Sequence, residues 1–483
     1  MNYRMIAYII GSILRLEGLM LVAPTCVAAI YQESDAVKAF FSTIIIVFIV
    51  GSALAGQAPK NKRIYGREAA TVVALSWIVV SVFGAVPFFL TGYISSPVDC
   101  FFEAVSGFTT TGASILSSIE VLPNSLLFWR AFTQWIGGMG ILVFMLAIIP
   151  MGDERSTHLM RAEVPGPIVR KIVPRIKSTA KILYSIYVVL TLIEVVVLCI
   201  GGMPFFDSVV TAISTAATGG SGLWDANIAV YNSPYVEYAL IVFMFLFSIN
   251  FNMFYMILIW DLKDVWKNEE LRYFVGIALF AIISITTNIA HLYPNLENAF
   301  RHATFQVVSL LSTSGFVVAD YEVWPEFSKS IMILLMMLGG CGGSTSGGIK
   351  ISRVIILLKL AVREVRHIVH PRSVNVIKLN GQRMEESAIS GVVGYMTIYF
   401  FILFASTVLI SLDNVSFEVS FTSVLACISN EGPAFGPTGP MGNFGFYSPI
   451  SKIILCFNML IGRLEIFPVI MLFAPSIWRK SYM

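Results

Sequence analysis

Phe108-Thr-Thr-Thr-Gly-Ala-Ser114 closes a moderately apolar segment that is too short to cross a bilayer. Three other stretches share its plan. Each ends in a tetrad of small or polar residues closed by glycine: Thr109-Thr110-Thr111-Gly112, Ala216-Ala217-Thr218-Gly219, Ser312-Thr313-Ser314-Gly315 and Ser429-Asn430-Glu431-Gly432. By subtraction, the closing glycines lie 107, 96 and 117 residues apart. A unit that recurs at a near-constant interval is a signal about the whole fold.

On either side of each tetrad lie long apolar runs. Only 13% of the 483 residues are charged, and mean hydropathy is +0.79, against roughly 25% charged residues in a soluble domain. Phe40–Ala55, Ile182–Ile200 and Tyr395–Ile410 approach or reach the roughly 20 residues that span a bilayer. Met1–Ile30 reads as a retained first helix, because Arg15 and Glu17 interrupt it and no small-residue cleavage site follows. The six cysteines are scattered, mostly in apolar stretches, and read as buried free thiols. Seven Lys and Arg fall within 151–181 and eight within 350–383, with Lys60, Lys62, Arg63 and Arg67 forming a third group. None falls within 91–129, 201–262 or 411–451. The positive-inside rule therefore places the basic loops and both termini on the cytoplasmic side.

Under that constraint the sequence predicts ten helices, near 5–30, 37–56, 68–91, 124–150, 180–202, 234–260, 272–291, 328–368, 386–411 and 448–477. The tetrads then fall in four long external connections. Their apolar segments read as re-entrant half-helices, which are allowed at membrane depth only beside protein or a water-filled cavity. The expected architecture is an all-α polytopic membrane protein with four pseudo-symmetric helix–pore loop–helix repeats around one central pore. Its divisions are a helix pair (1–67) and repeats over 68–160, 161–269, 270–383 and 384–483. Four such loops around an axis put backbone carbonyls face to face, the arrangement that replaces the hydration shell of K⁺. Glycine suits a carbonyl turned to the axis, and half-helix C-termini favour a cation in the cavity below. The competing reading is four ordinary external turns, which would not normally repeat in register with the spans.

These residues resemble the Trk/Ktr/HKT superfamily of K⁺ transporters, most closely its TrkH branch, over nearly the whole chain. The motifs are Phe108–Ser114 with Gln134-Trp-Ile-Gly-Gly-Met-Gly140, Ser214-Thr-Ala-Ala-Thr-Gly-Gly220, Ser312-Thr-Ser-Gly-Phe316 and Gly462-Arg-Leu-Glu-Ile-Phe467. The first two spans look like an extra N-terminal pair. The resemblance implies filter strands Thr110-Thr111-Gly112, Ala217-Thr218-Gly219, Thr313-Ser314-Gly315 and Asn430-Glu431-Gly432. It implies K⁺ ions held at Thr110, Thr111, Thr218, Thr313, Asn430 and Glu431, and no other cofactor in this chain. Glycine in all four strands implies K⁺ preference with Rb⁺ as a surrogate; plant relatives with serine in the first tend towards Na⁺. Glu431 departs from the Ser or Thr before the other glycines. One glycine per strand, unlike the TVGYG loop of tetrameric channels, implies fewer sites and weaker selectivity over Na⁺.

Two features read as gates. Gly339-Gly340-Cys341-Gly342-Gly343-Ser344-Thr345-Ser346-Gly347-Gly348-Ile349-Lys350 interrupts the eighth span, and so many glycines disfavour regular helix. The resemblance implies a mobile intramembrane loop below the filter; close helix packing by small residues is the other reading. The stretch is not a phosphate-binding loop, since Ile349 separates Gly348 from the lysine and no Ser or Thr follows Lys350. Arg463 lies within the last apolar span, where a charge costs at least about 2.5 kcal/mol. The resemblance puts it in the pore as an electrostatic barrier. An ion pair with Glu465 is the alternative, although residues two apart on a helix do not face each other.

A gated K⁺ pathway is the leading functional expectation. A Na⁺- or H⁺-coupled transporter is the alternative, but such proteins often show inverted repeats, and all four units here run the same way. No HExxH, GxSxG or paired carboxylates occur in the spans, so an enzyme is not expected. The resemblance further implies a homodimer in the cytoplasmic membrane with a cytosolic TrkA-like nucleotide-binding ring; the basic loops 151–181 and 350–383 are the docking surface expected for it, and membrane topology alone explains them equally well. The partners expected are thus protein and lipid bilayer, and no nucleic acid.

Overall fold

The computed structural model describes residues 1–56, 59, 65–140, 176–373 and 375–475. Lys60, Lys62, Arg63 and most of the basic loop at 151–181 lie outside the described residues. The described residues are mostly helical. One departure from an all-α fold is a two-stranded hairpin, Lys378–Leu379 with Gln382–Arg383. Its Asn380-Gly381 turn has φ of 51° and 76°, the positive pair that a two-residue hairpin turn requires.

Six helices among the described residues are long and apolar enough to cross a membrane: Tyr3–Ile30, Ser34–Leu54, Gly66–Leu90, Ala180–Ile200, Glu269–Leu292 and Glu386–Asp413. Polarity runs inside out. Ile49, Phe280 and Val408 are exposed on the perimeter, whereas Thr110, Thr218, Thr313 and Asn430 are fully buried. Local chemistry starts the helices that enter from the expected outer side. Ser96-Pro97, Ser233-Pro234 and Ser448-Pro449 each place a serine at the N-cap, accepting a backbone N–H, and a proline in the first turn. Both choices satisfy or remove orphan donors.

The helix predicted near 124–150 is described only over Asn124–Gly138. Three other expected spans differ from single rods. The sixth, expected over 234–260, is Pro234–Ser248 and Phe251–Leu258, bent by 94°. The eighth is Glu326–Met337 and Ile351–Val369 with the glycine loop between. The tenth, expected over 448–477, is Pro449–Arg463 and Phe467–Phe473. Its break carries φ of +57° at Glu465 and +67° at Ile466, and Pro468 follows in the first turn of the next helix. Proline removes a donor and clashes with the preceding turn.

The first two spans pack through glycines. A Cβ on Gly11 would lie 2.6 Å from Gly51 O, and one on Gly51 2.9 Å from Gly11 O, a close backbone approach of the kind that small residues permit between membrane helices. The Glu33 carboxylate accepts from Asn124 N at 2.7 Å and Ser125 N at 3.1 Å. This acid at a helix N-terminus ties the pair to the first repeat.

Candidate functional site

Four short helices converge on one place: Pro97–Phe108, Phe205–Ala217, Leu296–Leu311 and Phe417–Ser429. All four end in the same way. Thr110, Thr218, Thr313 and Asn430 adopt the left-handed conformation, with φ of 55–57°. Their N–H groups bond back three residues, and those of Thr111, Gly219, Ser314 and Glu431 bond back five. This pair of bonds is a Schellman ending. Glycine is the usual residue at its left-handed position; three threonines and an asparagine there carry strain of the order of 1–3 kcal/mol each.

The shared geometry corrects one register. Two residues beyond each left-handed position lies a second left-handed residue, and in order these are Gly112, Gly220, Gly315 and Gly432. The second repeat is therefore Thr218-Gly219-Gly220, and Gly220 rather than Gly219 matches Gly112. Ala217, expected as the first residue of the second strand, correspondingly sits level with Thr109, one step before that strand. The ring of contacts agrees. A Cβ on Gly112 would overlap Gly219 O, one on Gly220 would overlap Ser314 O, and one on Gly315 would overlap Glu431 O; one on Gly432 would lie 2.7 Å from Thr111 O. Each repeat thus abuts the next, and the fourth returns to the first. Gly112, Gly220, Gly315 and Gly432 all line one cavity of about 100 Å³ on the expected outer side.

Polar atoms at the ring suit a cation. Thr110 Oγ1 and Asn430 Oδ1 are buried with no hydrogen-bond partner among the described residues. Asn430 Nδ2 donates to Thr111 Oγ1 at 3.0 Å and to Met459 O at 2.9 Å, which leaves Oδ1 as an unused acceptor. Thr111 Oγ1 also pairs with Thr109 Oγ1, and Ser314 Oγ accepts from Ser312 Oγ, each at 2.8 Å. Thr218 Oγ1 donates to Ala217 O at 2.6 Å. The Glu431 side chain is fully buried, and its carboxylate has no hydrogen-bond partner among the described residues.

Support behind the ring comes from residues not singled out as site residues. Gln134 Nε2 donates to Gly219 O at 2.8 Å and to Ser221 Oγ at 2.7 Å, while Gln134 Oε1 accepts from Ser214 Oγ at 2.7 Å. This side chain from the first repeat fixes a ring carbonyl of the second. Buried Arg130 pairs with Glu103 at 2.6 Å, and Glu103 accepts from Ser114 Oγ and Ile115 N at 3.2 Å. Lys452 of the last repeat pairs with Asp99 of the first at 2.6 Å. Arg301 pairs with Glu237 at 2.7 Å, tying the third short helix to the broken sixth span. The motif at Gln134 marked its segment; nothing local in the sequence pairs Arg130 with Glu103.

The glycine loop packs against the opposite side of the ring from the cavity. Its ends are pinned together, with Gly339 N donating to Ile349 O at 2.9 Å and Ile349 N to Met337 O at 3.1 Å. Gly347 N donates to Thr313 Oγ1 at 2.7 Å, and a Cβ on Gly347 would overlap Ser429 O. The loop also heals the break in the sixth span. Ser248 O accepts from Cys341 N at 2.9 Å, and Phe247 O from Thr345 Oγ1 at 3.1 Å. Backbone freed at membrane depth needs such partners. Ser344 Oγ and Ser346 Oγ lie 2.7 Å apart, and Gly340 N donates to Ser346 Oγ at 3.0 Å. Buried Lys350 donates to Ser346 O. Gly342 and Ser352 both donate to Glu270 Oε1, at 2.8 and 2.9 Å. Glu270→Ala leaves two buried donors unsatisfied, at about 1–3 kcal/mol each. Amide hydrogen exchange at residues 340–346 is expected to rise in that variant; unchanged protection there removes Glu270 as the loop's anchor.

Arg463 ends the first half of the last span and reaches three carbonyls: Thr345 O at 2.7 Å, Gly137 O at 2.5 Å, and Gly138 O. It joins the glycine loop to the first repeat. Glu465 pairs with Arg353, on the helix that leaves the loop, and Arg353 also lies over the Tyr395 ring at 3.8 Å. Arg463 and Glu465 therefore hold the glycine loop and the first turn of the helix that follows it.

Apolar helices enclosing four converging helix ends, with oxygens at their centre that have no partner among the described residues, define a polytopic membrane transport protein. The family model described as "TrkH: Cation transport protein" matches residues 36–480, and the chain belongs to that family. It is 35% identical over 486 residues to the Trk system potassium uptake protein TrkH of Salmonella typhimurium, covering 99% of this chain and all of that one. It is 36% identical over 487 residues to the protein of the same name from Escherichia coli, with the same coverage. The crystal structure of the potassium transporter TrkH from Vibrio parahaemolyticus superposes with a TM-score of 0.89 at 31% identity, over 99% of this chain and all of that one. The family is a transport family, not an enzyme family.

Proposed function

We propose that this chain takes up K⁺ across the cytoplasmic membrane through a channel-like pore along the axis of the four-membered ring. The observation that carries the reading is the closed cyclic order of glycine–carbonyl contacts, first repeat to second, third, fourth and back to first. Carbonyls held face to face in that way replace the hydration shell of a permeating ion. Gly112, Gly220, Gly315 and Gly432, with the carbonyls of Thr111, Gly219, Ser314 and Glu431, form the filter. Thr110, Thr218, Thr313 and Asn430 form its inner rim. The glycine loop and Arg463 form the gate beneath. The relatives are named as proteins of a Trk system, and this reading includes a cytosolic TrkA-like nucleotide-binding ring that acts on the gate. It also includes a homodimer with one pore in each subunit and both termini in the cytoplasm.

Rb⁺ uptake into proteoliposomes tests the reading. K⁺ is expected to compete with Rb⁺ more strongly than Na⁺ does. Gly112 has φ of +78° and faces Gly219 O, so Gly112→Ser displaces a filter carbonyl. That variant is expected to let Na⁺ compete about tenfold better, a change of roughly 1.4 kcal/mol. Wild-type uptake that ignores K⁺ defeats the proposal.

A further inference from the structure

A second feature lies away from the pore, where the span Glu269–Ile289 begins. A groove of about 580 Å³ runs along one face of that helix. Its polar end is lined by Arg272, Tyr273 and Glu269, with Lys359 reaching in from the helix that leaves the glycine loop. Its other end is Gly276, Ile277 and Phe280. The helical residues stand at three- and four-residue spacing, so they form a single stripe. From Arg272 to Phe280 that stripe extends about 12 Å at 1.5 Å per residue.

The level of the groove in the bilayer follows from its neighbours. Trp260 and Trp266 are 85% and 77% exposed just before the helix, and Lys263 and Lys267 stand among them. Exposed tryptophans with lysines mark the membrane interface. The polar end therefore sits among headgroups, and Phe280, 68% exposed, lies in hydrocarbon. Lys359 pairs with Glu269 and donates to Lys378 O at 2.8 Å. Arg272 is exposed and has no ion pair among the described residues, which leaves the polar end one positive charge in excess. A Cβ on Gly276 would meet nothing within 4 Å. The glycine is not needed for packing among the described residues, and it leaves a notch of acyl-chain width beside a guanidinium that has no ion pair among them.

We infer that this groove binds an anionic phospholipid. The phosphate lies on Arg272 within reach of Lys359, and one acyl chain lies over Gly276 against Ile277 and Phe280. Guanidinium presents a fork that suits phosphate oxygens. Because Lys359 belongs to the helix continuous with the glycine loop, the lipid also touches the element that the loop would have to move.

Native mass spectrometry of the full chain in detergent tests the assignment, with phosphatidylglycerol and phosphatidylcholine of matched acyl chains as probes. One phosphatidylglycerol per chain is expected to remain bound, held at least about tenfold more tightly than phosphatidylcholine. Arg272→Gln removes the charge, and Gly276→Leu fills the notch without altering charge; each is expected to weaken retention by about tenfold. Inorganic phosphate at equal concentration is expected not to displace the lipid, since it lacks the acyl chain. Equal retention of the two lipids overturns the inference, as does full retention by both variants. Cross-linking of Gly276→Cys chains to each other in intact membranes also overturns it, because a second copy would then fill the groove.

Discussion

Gly220→Ala is expected to cut Rb⁺ uptake by about 100-fold or more, and Gly219→Ala by far less. The two glycines are adjacent, so the contrast isolates register. Gly220 has φ of +64°, which costs an alanine roughly 1–2 kcal/mol. Its Cβ would also overlap Ser314 O, a backbone atom with no rotamer through which to yield. Either the Ser314 carbonyl turns off the axis or the second and third repeats separate. Each effect alone is worth about a factor of ten, at 1.4 kcal/mol per tenfold. Gly219 lacks the positive φ. A Cβ there would meet the end of the Gln134 side chain at 2.4–2.8 Å, so truncating Gln134 should relieve Gly219→Ala in the double variant. No side-chain truncation should relieve Gly220→Ala. Equal losses for both single variants, with no rescue, would make Gly219 rather than Gly220 the counterpart of Gly112.

Arg463→Ala is expected to raise Rb⁺ uptake about tenfold at equal protein density. The guanidinium reaches carbonyls of Thr345, Gly137 and Gly138, and hydrogen bonds to a charged group contribute about 1.5–3 kcal/mol. Those contacts hold the glycine loop against the first repeat, and the positive charge opposes a cation beneath the filter. Alanine removes both effects, so the packed arrangement loses population and the barrier falls. Arg463→Lys keeps the charge but lacks the planar fork. An intermediate flux in that variant separates charge from tethering. Unchanged flux in Arg463→Ala would remove the residue from the gate.

The repeated plan was legible because it is local. A threonine or asparagine ending an apolar half-helix, followed within two residues by glycine, is visible in all four stretches. The misassigned strand shows the limit of matching on one residue type. Thr218-Gly219-Gly220 offers two glycines, and only the helix-ending hydrogen bonds tell them apart. Thr110, Thr218 and Thr313 were the better guide, since the left-handed position falls on threonine in three repeats. The 94° bend after Ser248 was not legible, because its partners are loop residues such as Cys341, about 90 positions away. Likewise Glu465 suggested Arg463 by proximity in sequence, but its partner is Arg353, 112 residues distant. Pairings of that kind depend on which helices become neighbours, and no local pattern encodes them.

The fourth repeat's return to the first bears on how the protein is made. Asn430 reaches Thr111 across 319 residues, and Lys452 reaches Asp99 across 353. Contacts so distant in sequence form only after most of the loop-closure entropy has been lost. A ribosome that has finished three repeats has inserted an open arc, with its fourth side facing lipid. The ring can close only once Asn430 and Lys452 have been added, so a nascent chain that stops short of them does not yet enclose a pore.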